Sequence, residues 1–190
     1  MFRETLTDAA AACNVTRCQF SVTAAQIGIE GTLSTSDSAA RMRQAWQRLR
    51  PLPGGRWLFS QFLGWMIPYT GSIHPHVLDL EPGYARIRMR DRRGVRNHLH
   101  SIHAIAVTNL AEVTSGLAMT AALPATVRGI VVRITIEFEK KARGTLTAEC
   151  RCAVSRVTDR VEFPVTAVVR DVAGETVAQA TVHWLLAPRA

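Results

Sequence analysis

One long apolar segment stands between two groups of alternating segments, and this order constrains the fold more than any other feature of the chain. Residues 102–123 read IHAIAVTNLAEVTSGLAMTAAL, which is the length and character of a buried helix. Two segments with strand-like alternation precede it and four follow it. A single long helix among about six strands predicts an α+β fold, in which a curved antiparallel sheet wraps around that helix.

The strand predictions rest on alternation of apolar and polar side chains. In YARIRMRDRR, residues 85, 87 and 89 are apolar, whereas residues 86, 88 and 90 are arginines. The segment RGIVVRITIEFEKKA is predicted to be a long strand with one apolar face, formed by Ile130, Val132, Ile134, Ile136 and Phe138. Turns are predicted at Pro82-Gly83, which suits a type II turn, and at DVAGE, which suits a hairpin.

Two helices are predicted before the first strand. One covers residues 38–50 with its N-cap among residues 36–38, and the other covers residues 56–67 and ends before Pro68. Apolar side chains of the second helix recur at helical spacing, which indicates a face packed on the core, with a membrane-surface face as the alternative. This set comprises Leu58, Phe59, Phe62, Leu63, Trp65 and Met66. Trp57, Trp65 and Trp184 are interpreted as packing residues.

The charge of the chain predicts an anionic partner. The net charge is +8 and the pI is about 10.3. A phosphorylated ligand, an acidic carrier protein, nucleic acid or an anionic membrane would fit this charge, and a solvated arginine surface explains it equally well. Nucleic acid is not expected, because the arginines are not interleaved with aromatic residues.

The cysteines and histidines predict neither disulfides nor a metal site. Cys150 and Cys152 lie two residues apart in an alternating segment and are interpreted as small core residues. Cys13 and Cys18 have no second pair at the spacing of a zinc site, and the histidines near residue 100 have no cysteine or aspartate to complete a ligand set. A reducing cytoplasm is therefore expected, and the apolar run at residues 57–69 is too short to span a membrane.

Glu112 is the candidate functional residue because it is the only carboxylate in the long apolar segment. A buried carboxylate without a partner is costly, so it either acquires a raised pKa or marks a functional site. Small uncharged polar residues lie three or four positions away, namely Thr108, Asn109, Ser115 and Gly116. Such a stripe favours a pocket over a solvated helix face, which is the alternative.

Residues 97–104 (NHLHSIHA) and 109–112 (NLAE) lie before and within this helix. Together with the order of helices and strands, they resemble proteins of the hotdog fold, and more narrowly the PaaI-type acyl-CoA thioesterases and the related DUF4442 group. Members of these groups carry Asn or Gln in the loop, a His-Gly pair at the helix start and an acidic residue two turns into the helix. Asn97, Ala104 and Glu112 fall at the family spacing. Ala104 stands where the family has glycine, and Gly116 stands where some relatives have Thr or Ser.

The resemblance covers about residues 55–187, and a hotdog domain is expected over residues 37–190. In the extension at residues 1–36, the segments CQFSVTA and IGIEGTLS are either short strands or part of a poorly ordered stretch. The resemblance also implies a thioesterase that hydrolyses an acyl-CoA or an acyl carrier protein thioester, with coenzyme A as part of the substrate and no further cofactor. A non-catalytic acyl-binding hotdog protein is the alternative, and Ala104 and Gly116 are what favour it. A hotdog dehydratase is disfavoured because no Asp and His pair lies at the helix entrance.

The resemblance further assigns roles to individual residues. Glu112 would be general base or nucleophile, the backbone N–H of Ala104 or Ile105 would polarise the thioester carbonyl, and Asn97 would position water or substrate. His103 would cap the helix as a neutral ring. The remaining substrate contacts are predicted from Asn109, Ser115 and Gly116. The phosphates of coenzyme A are expected to be held by basic residues near the site, of which the nearest are Arg90, Arg92, Arg93 and Arg96. A homodimer or tetramer is expected, in which the long strand RGIVVRITIEFEKKA pairs with its symmetry mate and each site combines residues of two subunits.

Overall fold

A computed structural model describes residues 35–154 and 157–189 of the chain. Within these residues the helices are α1 (Thr35–Leu49), α2 (Gly55–Met66), the short α3 (Pro68–Gly71) and α4 (Ala104–Ala122). The strands are β1 (His76–Glu81), β2 (Tyr84–Met89), β3 (Val127–Phe138), β4 (Leu146–Arg151), β5 (Val161–Arg170) and β6 (Thr176–Pro188). The strand-like segments CQFSVTA and IGIEGTLS, together with Cys13 and Cys18, lie outside the described residues.

The six strands form one antiparallel sheet in the order β1-β2-β4-β5-β6-β3. Helix α4 packs against all six strands, which a flat sheet could not allow. The small buried side chains of α4, such as Ala111 and Ala118, let the strands approach the helix closely. The predicted α+β hotdog architecture, with additional helices before the first strand, is confirmed.

Local sequence signals fix the two ends of α4. His103 is the N-cap, and its ring nitrogen Nδ1 accepts a hydrogen bond from the backbone N–H of Ile105 at 3.1 Å. The helix ends at Ala122, two residues before Pro124, which disfavours helical geometry in the residue preceding it. Arg43 of α1 donates a hydrogen bond to the carbonyl of Thr120 at 2.9 Å, so a cation meets the negative end of the helix dipole.

The predicted turns are both present. Gly83 has a φ angle of 77°, as the third position of a type II turn requires. A Cβ atom at this position would lie 2.2 Å from the carbonyl oxygen of Cys152, so only glycine fits. In the DVAGE turn, Asp171 accepts hydrogen bonds from the N–H groups of Ala173 and Glu175.

Cys150 is buried as expected, and burial raises the pKa of its thiol to about 12.

Strand β3 does not keep one apolar face, which corrects the sequence prediction. The pairing with β6 shifts its register between Val131 and Arg133. Because a bulge adds one residue, the side chains before it change faces. Val131 therefore packs against the core, whereas Ile130, which was predicted to share the face of Ile134, is exposed.

The predicted core face of α2 is also wrong in part. Phe59 and Leu63 are fully buried, but Leu58 is 47% exposed and Trp65 is 79% exposed. Trp57 is likewise exposed rather than packed, whereas Trp184 is buried as predicted. The buried face was ambiguous in the sequence because apolar residues surround this helix on nearly all sides.

Replacing Leu63 by Val is expected to lower the free energy of unfolding by about 1 kcal/mol, because the change removes one buried methylene group. The matched change Leu58→Val carries the same cost in helix propensity at an exposed position, so it should change stability by less than about 0.5 kcal/mol. Chemical denaturation of both variants measures the difference. Equal losses would show that Leu58 lies in the core.

The two outer strands differ in how their edges are covered. The backbone N–H of Val77 in β1 donates to Oγ of Ser60 in α2 at 2.9 Å, so a helix covers this edge. The outer edge of β3 has no neighbouring strand among the described residues, and Ile130 and Phe138 are exposed along it. An open edge of this length invites pairing with another strand. No helix in the described part of the chain is long and apolar enough to cross a bilayer.

Candidate active site

Glu112 lines a cavity of about 350 Å³ that lies between α4, the N-terminal helices and the ends of β3 and β6. The walls are largely apolar, and they include Met42 of α1, Met66 of α2 and Trp184 of β6. A cavity with apolar walls and few polar groups is the usual form of a site for a small ligand. The sequence prediction of a pocket at Glu112 agrees with this arrangement.

The carboxylate of Glu112 is half-buried and has no hydrogen bond or ion pair with any residue that the structure describes. Its burial raises its pKa, because removal from water disfavours the charged form. Nothing within the described chain compensates for this cost. A carboxylate held in such a state is a candidate general base or nucleophile.

The raised pKa of Glu112 leads to a prediction about stability. An unfolded chain loses this proton at lower pH than the folded chain does, so ionisation weakens folding as pH rises through the folded pKa. Glu112→Gln should therefore be more stable than the wild type at neutral pH. The difference should disappear at acidic pH, where both forms are uncharged. Thermal unfolding over a pH series measures it, and a variant less stable than wild type at neutral pH would contradict the desolvated state of Glu112.

Gly116 lies one turn after Glu112 and faces the same cavity. A Cβ atom built there would lie 3.7 Å from the ring of Trp184 and 4.0 Å from Oε1 of Glu112, which are ordinary contacts. The position therefore has room for a side chain that would enter the cavity beside the carboxylate. The cavity contains no hydroxyl group at this position to hold a water molecule.

Three arginines that the sequence did not single out also line this cavity, namely Arg43, Arg128 and Arg189. Arg43 and Arg189 donate to backbone carbonyls, and Arg128 is exposed. They come from α1, β3 and the residue after β6, so they are far apart in sequence. Only the folded topology brings them together, and no local motif could have indicated them.

The start of α4 forms a second region. The N–H of Ile105 is already bonded to His103, but the N–H of Ala104 has no acceptor among the described residues. Ala104 is exposed, so this N–H remains available at the positive end of the helix dipole. Of the two oxyanion donors that the sequence left open, the structure favours Ala104.

Asn97 shapes the loop that precedes this helix. Its side-chain oxygen accepts hydrogen bonds from the N–H of Leu99 at 2.9 Å and from the N–H and hydroxyl of Ser101, each at 3.2 Å. Its backbone N–H donates to the carbonyl of Ser101 at 2.8 Å. The side-chain oxygen and the backbone N–H of Asn97 are therefore both bonded within the loop. The side-chain nitrogen Nδ2 is the group of Asn97 that is left to contact a ligand.

The other predicted contacts are dispersed. Asn109 is buried and donates to the carbonyl of Tyr69 at 3.2 Å, and the hydroxyl of the fully buried Ser115 donates to the carbonyl of Glu112 at 2.8 Å. Arg96 is paired with Asp91 at 2.6 Å. Arg90 lines a cavity beside α2, and Arg93 is exposed on a turn. These residues do not form one cluster with Glu112.

The two regions lie in separate cavities of the chain. His103 and Asn109 line a cavity of about 220 Å³ that does not include Glu112. Ala104 and Glu112 are eight positions apart, which corresponds to about 12 Å along a helix. Within one chain, the carboxylate and the free N–H of Ala104 are therefore too far apart to contact the same carbonyl group. The described residues contain no group of three or more metal-binding side chains.

The curved six-stranded sheet around one central helix, together with the similarity to solved structures given below, defines the class of this molecule, a protein of the thioesterase-like hotdog fold. The chain belongs to the DUF4442 family, a domain of unknown function, whose family model matches residues 55–186. No curated protein is similar enough in sequence to count as a match.

Solved structures support the same class. The structural-genomics target APC5556 is 30% identical, with a TM-score of 0.69, and the match covers 80% of this chain and 99% of that one. A Pseudomonas aeruginosa protein, PA5026, described as a probable thioesterase, is 26% identical, with a TM-score of 0.64 and coverage of 73% and 97%. A thioesterase family protein from Silicibacter pomeroyi shares the fold at 16% identity, with a TM-score of 0.57 and coverage of 68% and 96%.

Proposed function

We propose that this protein is an acyl-CoA thioesterase in which Glu112 is the catalytic carboxylate. The observation that carries the proposal is the state of Glu112: an unpaired carboxylate of raised pKa in a largely apolar cavity of about 350 Å³. The similarity to PA5026, described as a probable thioesterase, supports the reaction class. The apolar walls suit an acyl chain, and the thioester carbonyl is the group that an acid of this kind can act on.

In the proposed reaction, the N–H of Ala104 donates a hydrogen bond to the thioester oxygen as negative charge develops on that oxygen. Glu112 takes a proton from a water molecule while that water attacks the carbonyl carbon. When the tetrahedral intermediate collapses, the carbon–sulfur bond breaks and the proton on Glu112 is available to the departing thiolate. Direct attack by the carboxylate, which would form a mixed anhydride, requires the same placement of Glu112.

The separation of Ala104 and Glu112 within one chain leads to the second part of the proposal. We propose a homodimer in which the exposed edge of β3 pairs with its counterpart and the helix start of one subunit meets Glu112 of the other. Two observations support it: the uncovered twelve-residue strand with exposed Ile130 and Phe138, and the two half-sites in different cavities. An isologous pairing of this kind follows from two-fold symmetry.

A non-catalytic acyl-binding protein is the second candidate. It is favoured by Gly116, which leaves no hydroxyl beside Glu112 to hold a water molecule. The two candidates differ in one observable: tight binding of acyl-CoA without release of thiol would identify the binder.

Gly116→Leu is expected to restrict the acyl chain, because its side chain would extend into the cavity toward Trp184. Thiol release should be measured over acyl-CoA substrates of increasing chain length. The variant should lose about 10-fold or more in kcat/KM for long chains relative to short ones. Gly116→Ala adds only a methyl group at ordinary contact distance and is the matched control. A chain-length profile that is unchanged in Gly116→Leu would place the acyl chain elsewhere.

A further inference from the structure

A second cavity, of about 470 Å³, lies between α2, the segment before β1 and the end of β2. Three arginines line it, Arg88, Arg90 and Arg92, together with His74 and His76, and its lining contains no carboxylate. We refer to it as the basic cavity. It is distinct from the cavity that contains Glu112, with which it shares no lining residue.

The positive charge of the basic cavity is not neutralised by the described residues. Neither Arg88, Arg90 nor Arg92 forms a salt bridge within that part of the chain. The two nearby carboxylates are already committed, since Asp79 pairs with Arg86 at 2.6 Å and Asp91 pairs with Arg96 at 2.6 Å. Arg88 and Arg92 are half-buried, whereas Arg90 is exposed. Half-buried cations without counterions are costly, so the state of Arg88 and Arg92 favours an anion in this cavity.

Individual atoms point to the same conclusion. The Nε atoms of Arg88 and Arg92 are buried and have no hydrogen-bond partner in the described chain. Arg92 is held in place by a hydrogen bond from its Nη2 to the carbonyl of Ser72. The pKa of His76 is lowered by its burial and then by the charges of Arg88, Arg90 and Arg56. Unsatisfied guanidinium N–H groups in a cationic cavity suit forked contacts to phosphate oxygens.

The rim of the basic cavity adds an aromatic surface. Trp57, at the start of α2, lines the cavity and is 55% exposed. His74, on the opposite loop, has a φ angle of 48°, a left-handed conformation that non-glycine residues seldom adopt. An exposed indole beside a phosphate-binding cavity offers a stacking surface for a nucleotide base.

We propose that the basic cavity binds a phosphorylated nucleotide, with Arg88 and Arg92 contacting its phosphate groups and Trp57 stacking on its base. The basic cavity adjoins the cavity at the start of α4, because Ile73 lines both. A nucleotide bound here would direct an attached arm toward the N–H of Ala104. The identity of this nucleotide as the coenzyme A portion of the substrate rests on the proposed function, whereas the nucleotide site itself does not.

The test is calorimetric titration of the protein with adenosine 3′,5′-bisphosphate and, separately, with inorganic pyrophosphate. Arg88→Gln should weaken the binding of both anions by about 10- to 100-fold, because it removes a charged hydrogen-bond donor. Trp57→Ala should weaken only the nucleotide, by about 10-fold. Arg160→Gln is the matched control: it removes the same charge from an exposed position outside the cavity, and it should change affinity by less than about 2-fold.

Equal effects of Arg88→Gln and Arg160→Gln would overturn the site, because they would show a response to net charge alone. An unchanged nucleotide affinity in Trp57→Ala would overturn the nucleotide assignment. Arg88→Lys keeps the positive charge but lacks the two parallel N–H donors of the guanidinium group, so it should bind both anions with intermediate affinity. This variant separates the loss of the contact from a folding defect in Arg88→Gln. Folding of each variant is checked by circular dichroism.

The failure of this site can be told apart from the failure of the proposed function. Nucleotide binding is measured without any hydrolysis, so it can succeed in a protein that releases no thiol. If the protein is a thioesterase, Arg88→Gln should raise KM for acyl-CoA while leaving the hydrolysis of the corresponding acyl-pantetheine, which lacks the nucleotide, unchanged. An equal loss with both substrates would contradict the proposal that the basic cavity holds the coenzyme A nucleotide.

Discussion

Replacement of Glu112 by glutamine is expected to leave a folded protein whose thiol-release activity is two to four orders of magnitude lower, about 10²- to 10⁴-fold. Glutamine has nearly the same shape as glutamate, but it can neither accept the proton of water nor attack a carbonyl carbon. The loss should fall mainly on kcat, because the acyl chain still enters the same apolar cavity. Steady-state assays on acyl-CoA substrates measure the effect.

The control for this change is Glu81→Gln, which removes a carboxylate from the exposed end of β1 and should retain full activity. The wild-type pH profile provides an independent check. Because burial raises the pKa of Glu112, activity should fall on the acidic side at a pH above the ordinary range of a carboxyl group. Wild-type turnover in Glu112→Gln would remove this residue from the mechanism.

Ala104→Pro is expected to lower kcat by about 10²- to 10³-fold, the usual cost of removing one oxyanion donor. Proline deletes the backbone N–H that the structure leaves without an acceptor. It should do so without breaking α4, because Ala104 is the first helical residue, where proline is favoured. His103 has a φ angle of −63° and a ψ angle of 139°, an extended conformation that suits a residue preceding proline.

Ala104→Ser retains the N–H and is the matched control for this variant, so it should keep most of the activity. Circular dichroism should show unchanged helix content in both proteins. If Ala104→Pro is folded and fully active, the thioester oxygen is not bound by the start of α4.

The same two variants test whether the site is shared between subunits. If Ala104 and Glu112 act across an interface, mixing Ala104→Pro with Glu112→Gln should restore activity, because a mixed dimer contains one intact site. With free exchange half of the molecules are mixed dimers, so up to about a quarter of wild-type activity should return. Mass measurement establishes the oligomer and the exchange of subunits. No recovery after proven exchange would contradict a shared site.

The architecture was predictable because its signals are local and periodic. Alternation in segments such as YARIRMRDRR specifies a strand wherever one face is buried, and Ala85, Ile87 and Met89 are indeed all buried. The long helix was equally clear, since no strand accommodates twenty consecutive residues of this character. Glu112 could be selected as a candidate site residue for a related reason, because it is the only carboxylate in a long apolar segment of the sequence.

The wrong predictions concern the buried faces of β3 and α2, where apolar residues lie on more than one side of the element. The pattern around the bulge in β3 is apolar at three consecutive positions, Ile130, Val131 and Val132. Because each of these side chains suits either face of a strand, the sequence could not indicate where the bulge changes the faces. Helix α2 likewise has apolar residues around most of its circumference, and only the fold shows that Phe59 is buried while Leu58 is not. Periodicity can choose between faces only if one of them is polar.

Proximity in sequence was a partial guide to a shared arginine site: of the predicted set, Arg90 and Arg92 line one cavity, whereas Arg93 and Arg96 do not. Arg90, at the end of β2, lines the basic cavity. Arg93 lies on a turn and is exposed to solvent, and Arg96 lies in the loop that follows and pairs with Asp91. Arg88 was predicted only as one of the polar residues of β2, yet it lines the basic cavity with an unsatisfied Nε atom. Arg88, Arg90 and Arg92, at alternate positions of the chain, line one cavity, whereas the turn that follows separates Arg93 and Arg96 from them.

One wall of the cavity at Glu112 lies outside the segment that the family model matches. Met42 and Arg43 belong to α1, whereas the family match begins at residue 55. Trp46 of α1 packs edge-on against Phe59 of α2 at 5.0 Å, and this contact holds α1 in place beside the cavity. Exchange of α1 would therefore change the wall of the cavity while leaving Glu112 and α4 unchanged. Grafting α1 helices from other family members onto this chain would be a direct route to variants of altered chain-length preference.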